Sequence, residues 1–268
     1  MLVLIFLAIA ALLSFLVCAG SLTVLKFALC LLGFFLAVNI VYILWCFAAC
    51  LQVKDMEKPI EKINGYCRRA MLGAFKLVAE YMGVDLTLSG MEKLPEGQRF
   101  LLVCNHRSGF DPVVLMHALR KHELATIAKP SIMALPVIGK VAYAIGCLSI
   151  DRDNDRNALK TNLTAANYLK KDVCSICIFP EGTRSRTGEL LPFHAGSFKI
   201  AQRAGAPLVI ASIEGTERVT KNLPFKRTAV NVKILEVIPA EDVKARDTQE
   251  LAAYSRKLIG ESFAEVQA

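Results

Sequence analysis

Residues 100–112 read Phe-Leu-Leu-Val-Cys-Asn-His-Arg-Ser-Gly-Phe-Asp-Pro, an apolar run that leads straight into a polar one. Five consecutive apolar residues are typical of a strand that is buried on both faces. Asp111 followed by Pro112 predicts the start of a helix, with Asp111 as its capping residue and Pro112 in its first turn. The stretch therefore indicates a buried strand, a short polar loop and a helix, which together form the repeating unit of an α/β fold.

The same alternation continues along the chain. Further apolar runs predict strands at Leu124–Ala128, Cys147–Ile150, Val173–Phe179, Leu208–Ile213 and Thr228–Val237. Helical patterns predict helices at Pro112–Arg120, Val137–Ala144, Asp155–Lys170, Ser197–Ala204 and Thr248–Phe263, with Gly205 ending the fourth. We therefore expect an α/β fold with a mostly parallel sheet flanked by helices. Ligands of such sheets bind beyond the carboxyl ends of the strands.

The first fifty residues have a different composition from the rest. The chain has 268 residues, of which 54% are hydrophobic, and its net charge is +8. Lys26 is the one charged residue before position 51, which leaves 55 charged residues among the remaining 218. That share is usual for a globular domain. The composition excludes a disordered protein, a collagen, a disulfide scaffold and a transporter with many spans.

Two apolar runs, Leu2–Val17 and Phe27–Leu51, predict an N-terminal two-helix membrane hairpin over residues 1–51. As helices they reach about 24 Å and 37 Å, against a hydrocarbon core of about 30 Å. A hairpin that crosses the bilayer and one sunk in a single leaflet both remain open. A cleaved signal peptide is the competing interpretation, but it requires a basic start and a single short apolar stretch.

Residues 52–84 form a basic segment with helical spacing of its apolar positions, which predicts an amphipathic juxtamembrane helix. We expect its apolar stripe to pack on the domain core, with insertion into the membrane interface as the alternative. Basic residues beside a membrane exit favour the cytoplasmic side. The sequence thus predicts a membrane protein whose globular domain, residues 85–268, faces the cytoplasm.

His106 and Asp111 are the candidate catalytic pair. Five residues apart they would not meet on one helix, but a loop containing Gly109 can fold the imidazole back onto the carboxylate. A carboxylate on one ring nitrogen raises the basicity of the other and makes a general base. The alternative is that Asp111 only caps the helix and His106 is an ordinary loop residue.

A second loop, Pro-Glu-Gly-Thr-Arg-Ser-Arg-Thr-Gly at 180–188, follows the strand Val173–Phe179. Its glycines free backbone N–H groups, and its arginines suit a phosphate because the guanidinium donates two parallel hydrogen bonds. Glu181 could orient Arg184 or accept a hydrogen bond from a substrate hydroxyl. Arg152 and Lys129 follow other strands, so the same edge would collect a base and several cations. A surface turn with scattered charges is the alternative.

Cys174 and Cys177 form a C-x-x-C pattern inside the predicted strand Val173–Phe179. No second pair and no nearby histidine completes a zinc site. We therefore expect the two thiols to pack in the core and to bind no metal.

Asn-His-x4-Asp, a following Asp-Arg and then Phe-Pro-Glu-Gly-Thr-Arg-Ser, in this order, resemble the motifs of the glycerophospholipid acyltransferases. The resemblance is strongest to the 1-acylglycerol-3-phosphate acyltransferases and covers roughly residues 85–215. Members of that family commonly carry an N-terminal two-helix membrane motif. The chain departs from the family at Arg107, where many members have Gln, and at Ile210, where a second proline is usual.

The resemblance implies that His106, oriented by Asp111, deprotonates the sn-2 hydroxyl of lysophosphatidic acid, which then attacks an acyl-CoA or acyl-carrier-protein thioester. It implies that the substrate phosphate is held by Arg184, Arg152 and Lys129, and that the acceptor site is shaped by Glu181, Gly182 and Thr183. Neither a metal nor another cofactor is expected. The partners would be the lipid bilayer, lysophosphatidic acid and the acyl donor.

Two alternatives remain. One is an acyltransferase for another acceptor, such as glycerol 3-phosphate, a lysophospholipid or a lyso-aminolipid. The other is a non-catalytic binder of anionic lipids, against which the presence of both His106 and Asp111 argues. Nucleic acid is not an expected partner, because no basic stripe interleaved with aromatic residues occurs.

Overall fold

The computed structural model describes residues 2–18, 24–53, 55–56, 58–151, 154–185, 189–222 and 226–264. The strands are β1 Val84–Ser89, β2 Leu101–Cys104, β3 Leu124–Ala128, β4 Leu148–Ser149, β5 Ser175–Ile178, β6 Leu208–Glu214 and β7 Thr228–Ile238. The helices are α1 Leu2–Cys18, α2 Val24–Cys50, α3 Gly65–Tyr81, α4 Asp111–Ala118, α5 Pro130–Met133, α6 Ile138–Ala144, α7 Asp155–Lys170, α8 Lys199–Ala204, α9 Val219–Asn222, α10 Ala240–Ala245 and α11 Thr248–Ala264.

The strands form one seven-stranded sheet in the order β1-β7-β6-β2-β5-β3-β4. The five strands β6, β2, β5, β3 and β4 run parallel to one another. β7 runs antiparallel to β6 and parallel to β1. The predicted α/β fold with a mostly parallel sheet is therefore confirmed. Every residue of β2, at the centre of the sheet, is fully buried, as its continuous apolar run requires.

The direction of the crossovers places the helices on two faces. α4 and α6 connect strands that step towards β4, whereas α7 and α8 connect strands that step back towards β6. Since crossovers between parallel strands are right-handed, the two pairs cover opposite faces of the sheet. The loops after β2 and β5 therefore leave neighbouring strands towards opposite faces. Such a switch point is where doubly wound sheets bind their ligands.

Several boundaries differ from the sequence predictions. α7 spans Asp155–Lys170 as expected, and α8 ends at Gly205, whose φ of +63° is left-handed. β1, α5 and α10 were not predicted. β1 is a partly exposed outer strand, so it lacks the continuous apolar run by which the central strands were recognised.

The amphipathic helix expected within residues 52–84 is observed as α3, which spans only Gly65–Tyr81. It begins at Gly65, because the side chain of Asn64 accepts hydrogen bonds from the N–H groups of Tyr66 and Cys67, both at 3.0 Å. Its buried residues are Cys67, Ala70, Met71 and Leu77. This face joins the hydrophobic core, and α3 packs against α4 and α6. The expected packing of the apolar stripe on the domain core is therefore observed.

α1 and α2 pack against each other at the N-terminus. α2 has 27 residues, and by length and composition it is able to cross a membrane. At about 1.5 Å per residue it is about 40 Å long. Its last turns pack along α3, with the rings of Trp45 and Tyr66 5.2 Å apart. The N-terminal helix pair is thus continuous with the rest of the fold.

Candidate active site

The loops after β2 and β5 meet beside the switch point of the sheet. His106 lies in the first loop, and Glu181 lies in the second. The N–H of His106 donates to Oε1 of Glu181 at 2.6 Å, and the N–H of Ser185 donates to the carbonyl of His106 at 3.0 Å. The Asn-His-x4-Asp motif and the Glu-Gly-Thr-Arg loop are therefore joined by hydrogen bonds at one edge of the sheet.

His106 and Asp111 form the predicted pair. Nδ1 of His106 lies 2.7 Å from Oδ2 of Asp111, and the carboxylate is fully buried whereas 18% of the imidazole is exposed. Among the described residues no hydrogen bond to Nε2 of His106 occurs. A buried carboxylate on Nδ1 selects the tautomer whose Nε2 can accept a proton.

Asp111 is held by donors that surround its carboxylate. Oδ2 accepts from the N–H groups of Arg107 at 2.7 Å and Ser108 at 2.8 Å, and Oδ1 accepts from the hydroxyl of Thr216. α4 begins at Asp111 as expected, but the expectation that Asp111 caps it was wrong. Its carboxylate turns back to the N–H groups of the preceding loop. These bonds offset the cost of burying a charge.

Three residues that position the pair were not found from the sequence. The ring of Phe179 stacks on the imidazole of His106, with 4.2 Å between the ring centroids. The buried side chain of Asn105 donates to the carbonyl of Ile213 at 2.8 Å and accepts from its N–H at 2.9 Å, which ties the loop to β6. Thr216 is the third. Asn105 and Phe179 belong to the quoted motifs but were given no role there, and no local signal pointed to Thr216.

Glu181 is buried, and both of its carboxylate oxygens accept from backbone groups. Besides the bond to His106, Oε2 accepts from the N–H of Leu191 at 2.9 Å. Burial raises the pKa of this carboxyl, and the two hydrogen bonds partly offset that rise. Glu181 therefore braces the two loops against each other, and neither of these hydrogen bonds involves Arg184.

The remaining predicted site residues lie along the same edge, except where the structure does not describe them. Nη1 of Arg184 lies 3.7 Å from the point where a Cβ on Gly109 would stand, so the guanidinium lies beside the His106–Asp111 turn. Gly182 has a φ of +78°, and Thr183 beside it is exposed. Lys129 is exposed at the end of β3, two strands from β2 and so about 10 Å away across the sheet. Arg152 lies outside the described residues.

An open cleft of about 360 Å³ adjoins this edge. Its lining includes Phe179, Gly182 and His194, together with apolar positions such as Ile150 and Ala158. Phe179, which also stacks on His106, therefore contributes both to the wall of the cleft and to the surroundings of the candidate base. His194 lines this cleft and is exposed.

Cys174 and Cys177 are buried free thiols in and beside β5. Burial raises the pKa of both thiols well above its usual range, so they are neutral and pack as small apolar side chains. In the part of the chain that the structure describes, no three His, Cys, Asp or Glu side chains are grouped so as to hold a metal ion.

Comparisons with known proteins agree with this geometry. The model of a family described as acyltransferase matches residues 85–214. The 1-acyl-sn-glycerol-3-phosphate acyltransferase of Salmonella typhimurium is 33% identical over 169 residues, which cover 62% of this chain and 67% of that protein. The enzyme of the same name from Haemophilus influenzae is 27% identical over 197 residues, covering 71% and 82%.

A solved structure is also similar. The crystal structure of the 1-acyl-sn-glycerophosphate acyltransferase PlsC from Thermotoga maritima matches with a TM-score of 0.63 and 26% identity, over 76% of this chain and 80% of that one. Together with these matches, the mostly parallel sheet, the His–Asp pair at its switch point and the Glu-Gly-Thr-Arg loop beside it identify an acyltransferase. The chain belongs to the acyltransferase family of phospholipid biosynthesis.

Proposed function

We propose that this acyltransferase transfers a fatty acyl group from acyl-CoA or acyl-carrier protein to the sn-2 hydroxyl of 1-acylglycerol 3-phosphate and so forms phosphatidic acid. The observation that carries the chemistry is the 2.7 Å contact between Nδ1 of His106 and the buried carboxylate of Asp111. Support for the acceptor comes from the names of the relatives and from the cations at the site edge.

In the first step Nε2 of His106 takes the proton of the acceptor hydroxyl. The oxygen attacks the thioester carbonyl carbon, and the carbonyl electron pair moves to the oxygen of a tetrahedral intermediate. Four donors hold the carboxylate of Asp111 in place, and from this position it stabilises the imidazolium that forms. Collapse of the intermediate breaks the carbon–sulfur bond, and the imidazolium returns its proton to the departing thiolate.

Phosphate recognition is proposed to fall to Arg184, Lys129 and Arg152, with Glu181, Gly182 and Thr183 shaping the acceptor site. Arg184 is best placed of the described residues, because its guanidinium lies beside the turn that carries the base. A phosphomonoester carries more negative charge than a diester headgroup, so several cations favour it. The apolar cleft beside Phe179 suits part of an acyl chain or of the thioester arm.

For the whole chain we propose three segments. Residues 1–51 form a membrane anchor, residues 52–84 form a basic juxtamembrane segment, and residues 85–268 form the acyltransferase domain. The length and apolar composition of α2 support membrane association. We propose that the domain faces the cytoplasm, where thioester donors are made, because basic residues follow α2.

The test is an assay of the purified full chain with labelled 1-acylglycerol 3-phosphate and either thioester donor, which should yield phosphatidic acid. Replacement of the base, His106→Ala, should lower kcat by about 10²–10⁴-fold, whereas His122→Ala, at the opposite edge of the sheet, should not. Full activity of His106→Ala would refute the mechanism.

Acceptor choice is tested separately. Glycerol 3-phosphate and 1-acylglycerophosphocholine replace the acceptor in the same assay. Arg184→Ala should raise the KM for the phosphate-bearing acceptor far more than the KM for the thioester. A higher rate with either alternative acceptor would reassign the substrate and leave the chemistry intact. Tight lipid binding by an inactive wild-type protein would instead indicate a lipid-binding protein.

A further inference from the structure

Residues 130–139 read Pro-Ser-Ile-Met-Ala-Leu-Pro-Val-Ile-Gly and contain no charge, although Lys129 precedes them and Lys140 follows. We call this segment the elbow. It comprises the short helix α5, the connection to α6 and the first residues of α6. Three of its aliphatic side chains are exposed, Ile132 by 46%, Leu135 by 41% and Ile138 by 51%. Contiguous exposed apolar patches with a polar rim are typical of interaction sites.

The elbow lies at the edge of the sheet that carries the candidate active site. It follows Ala128, the last residue of β3, and β3 runs parallel to β5 and so to β2. The carboxyl end of β3 therefore lies at the same edge as His106.

α2 projects beyond this same edge. The carbonyl of Gly83, just after α3, accepts from the N–H of Thr228 at 2.9 Å, and β7 then pairs Asn231 with Glu214 at the end of β6. The last turn of α3 therefore lies at the His106 edge.

α2 runs antiparallel to α3. Near the start of α3, Trp45 meets Tyr66, and near its end Asn39 accepts from the hydroxyl of Tyr81 at 2.6 Å. Residues 24–38 consequently extend past the edge, over about 22 Å of helix. Their exposed side chains include Leu25, Leu29, Leu32 and Leu36.

From this arrangement we propose that the elbow is a second membrane contact, which inserts Ile132, Leu135 and Ile138 into the lipid interface beside the active site. The inference rests on the proposal that α1 and α2 hold the protein at a membrane. A bilayer that receives the projecting part of α2 lies across the edge from which the elbow protrudes. Lys129 and Lys140 flank the apolar residues, where lysines can extend towards lipid headgroups.

The contact gives the site a route for its acceptor. A lysolipid whose acyl chain stays in the bilayer would present its polar end at the edge where His106, Arg184 and Lys129 lie. Segments that lie in the interface bury their apolar side chains by about 5–10 Å. The elbow would thus set the height of the base above the headgroups, whereas α2 supplies the attachment.

Tryptophan scanning tests the proposal directly, because the chain has a single tryptophan, Trp45. In a Trp45→Phe background, Ile132→Trp and Leu135→Trp are made separately in the full chain. Leu29→Trp in α2 is the positive reference, and Gln98→Trp, an exposed position before β2 at the opposite edge, is the negative one. Each protein is mixed with vesicles whose phosphatidylcholine and phosphatidylglycerol carry bromine on the acyl chains.

We expect the brominated lipid to quench the emission from positions 29, 132 and 135 and to leave that from position 98 unchanged. Quenching at position 29 without quenching at 132 and 135 would overturn the proposed elbow contact and leave the membrane anchor standing. Absence of quenching at all four positions would overturn the membrane anchor and the elbow contact together.

A second variant links the contact to function. The double replacement Ile132→Asp with Leu135→Asp should raise the KM for acceptor presented in vesicles several-fold, and should leave kcat with detergent-dispersed acceptor unchanged. The matched control is the double replacement of the same residues by Ala. Its KM for acceptor in vesicles should lie between those of the wild type and the Asp variant. Equal KM values in vesicles for the wild type and the Asp variant would contradict the proposal.

Discussion

Asp111 shows how a buried charge is kept in the fold. Its carboxylate has no contact with solvent, yet the imidazole of His106, two backbone N–H groups and the hydroxyl of Thr216 surround it. Each donor replaces a hydrogen bond that water would otherwise make to the carboxylate. These bonds therefore offset the free-energy cost of burying the charge. The same bonds leave the carboxylate a single orientation, and that orientation fixes the imidazole.

Asp111→Asn should therefore lower kcat by about 10²–10⁴-fold with little change in KM. If the amide oxygen keeps the contacts of Oδ2 with His106 and the loop N–H groups, the amide NH2 group faces the hydroxyl of Thr216. The negative charge that stabilises the imidazolium is lost in either orientation of the amide. Steady-state kinetics measure the effect. Asp242→Asn, at an exposed helix start in α10, is the matched control. An unchanged kcat in Asp111→Asn would exclude the orienting role.

Thr216 gives a second prediction at this scale. Thr216→Val keeps the shape of the side chain but removes the hydroxyl that donates to Oδ1 of Asp111. A hydrogen bond to a charged group is worth about 1.5–3 kcal/mol, so the free energy of unfolding should fall by about that much. Denaturant unfolding measures it. Thr216→Ser should restore most of the loss, and a Ser variant as unstable as Val would show that the hydroxyl is not the cause.

Among the elements, α11 supports the site from outside the segment that the family model matches. The guanidinium of Arg256 donates to the carbonyls of Leu190 at 2.7 Å and Leu191 at 3.1 Å. The N–H of Leu191 in turn holds Glu181, which holds the backbone of His106. The same helix also meets the His106 loop directly, since the guanidinium of Arg107 lies 4.6 Å from the ring centroid of Phe263.

Arg256→Ala should lower kcat several-fold, because the segment that carries Leu191 loses its anchor and Glu181 loses a fixed partner. The KM for the thioester should change little. Lys257→Ala on the same helix is the control, since Lys257 is exposed and pairs only with Glu261 among the described residues. A loss of equal size in both variants would point to a general effect on α11.

His117 in α4 makes the stability of the fold depend on pH. Burial, with smaller contributions from Arg120 and Lys76, lowers the pKa of His117 below its usual 6.5. The unfolded chain then binds a proton more readily than the native one as the pH falls below 6.5. Stability is therefore lost from that pH down to the lowered pKa of the folded state.

His117→Gln removes this titration, so its melting temperature should fall less than that of the wild type between pH 7 and pH 5. Between pH 8 and pH 7 the difference between the two proteins should stay constant, which serves as the internal control. If the melting temperatures of wild type and variant fell equally from pH 7 to pH 5, His117 would not be the group responsible.

On the scale of the whole molecule, the net charge of +8 and the apolar N-terminal segment would attach the protein to a membrane by two different forces. Electrostatic attraction between exposed charges is screened beyond about 8 Å at physiological salt, whereas apolar burial in lipid does not depend on that screening. Attachment to an anionic membrane should therefore have a salt-sensitive part and a salt-resistant part.

Raising the salt from about 0.01 M to about 1 M, where the screening length falls from about 30 Å to about 3 Å, should release only part of the protein from anionic vesicles. Sedimentation of the vesicles measures the bound fraction. Binding to zwitterionic vesicles should show little salt dependence. Complete release from anionic vesicles at high salt would show that charge alone attaches the protein.

The class of fold and the His106–Asp111 pair were predictable because the patterns that indicate them lie within short stretches of sequence. Continuous apolar runs separated by helical patterns indicated the parallel sheet, and α7 was found with its observed ends. His106 and Asp111 could be paired because five residues in one loop suffice to bring them together. β1 was missed, since a short outer strand with exposed positions lacks the continuous apolar run of a central strand.

The sequence by itself thus determined the class of fold, the apolar N-terminal segment and the pairing of His106 with Asp111, because each depends on residues close together in the chain. Only the tertiary structure decided what holds them. Thr216 reaches Asp111 across 105 positions, and Asn105 reaches Ile213 across 108. Such contacts arise when strand order brings distant loops to one edge, and no periodicity in the chain records that order.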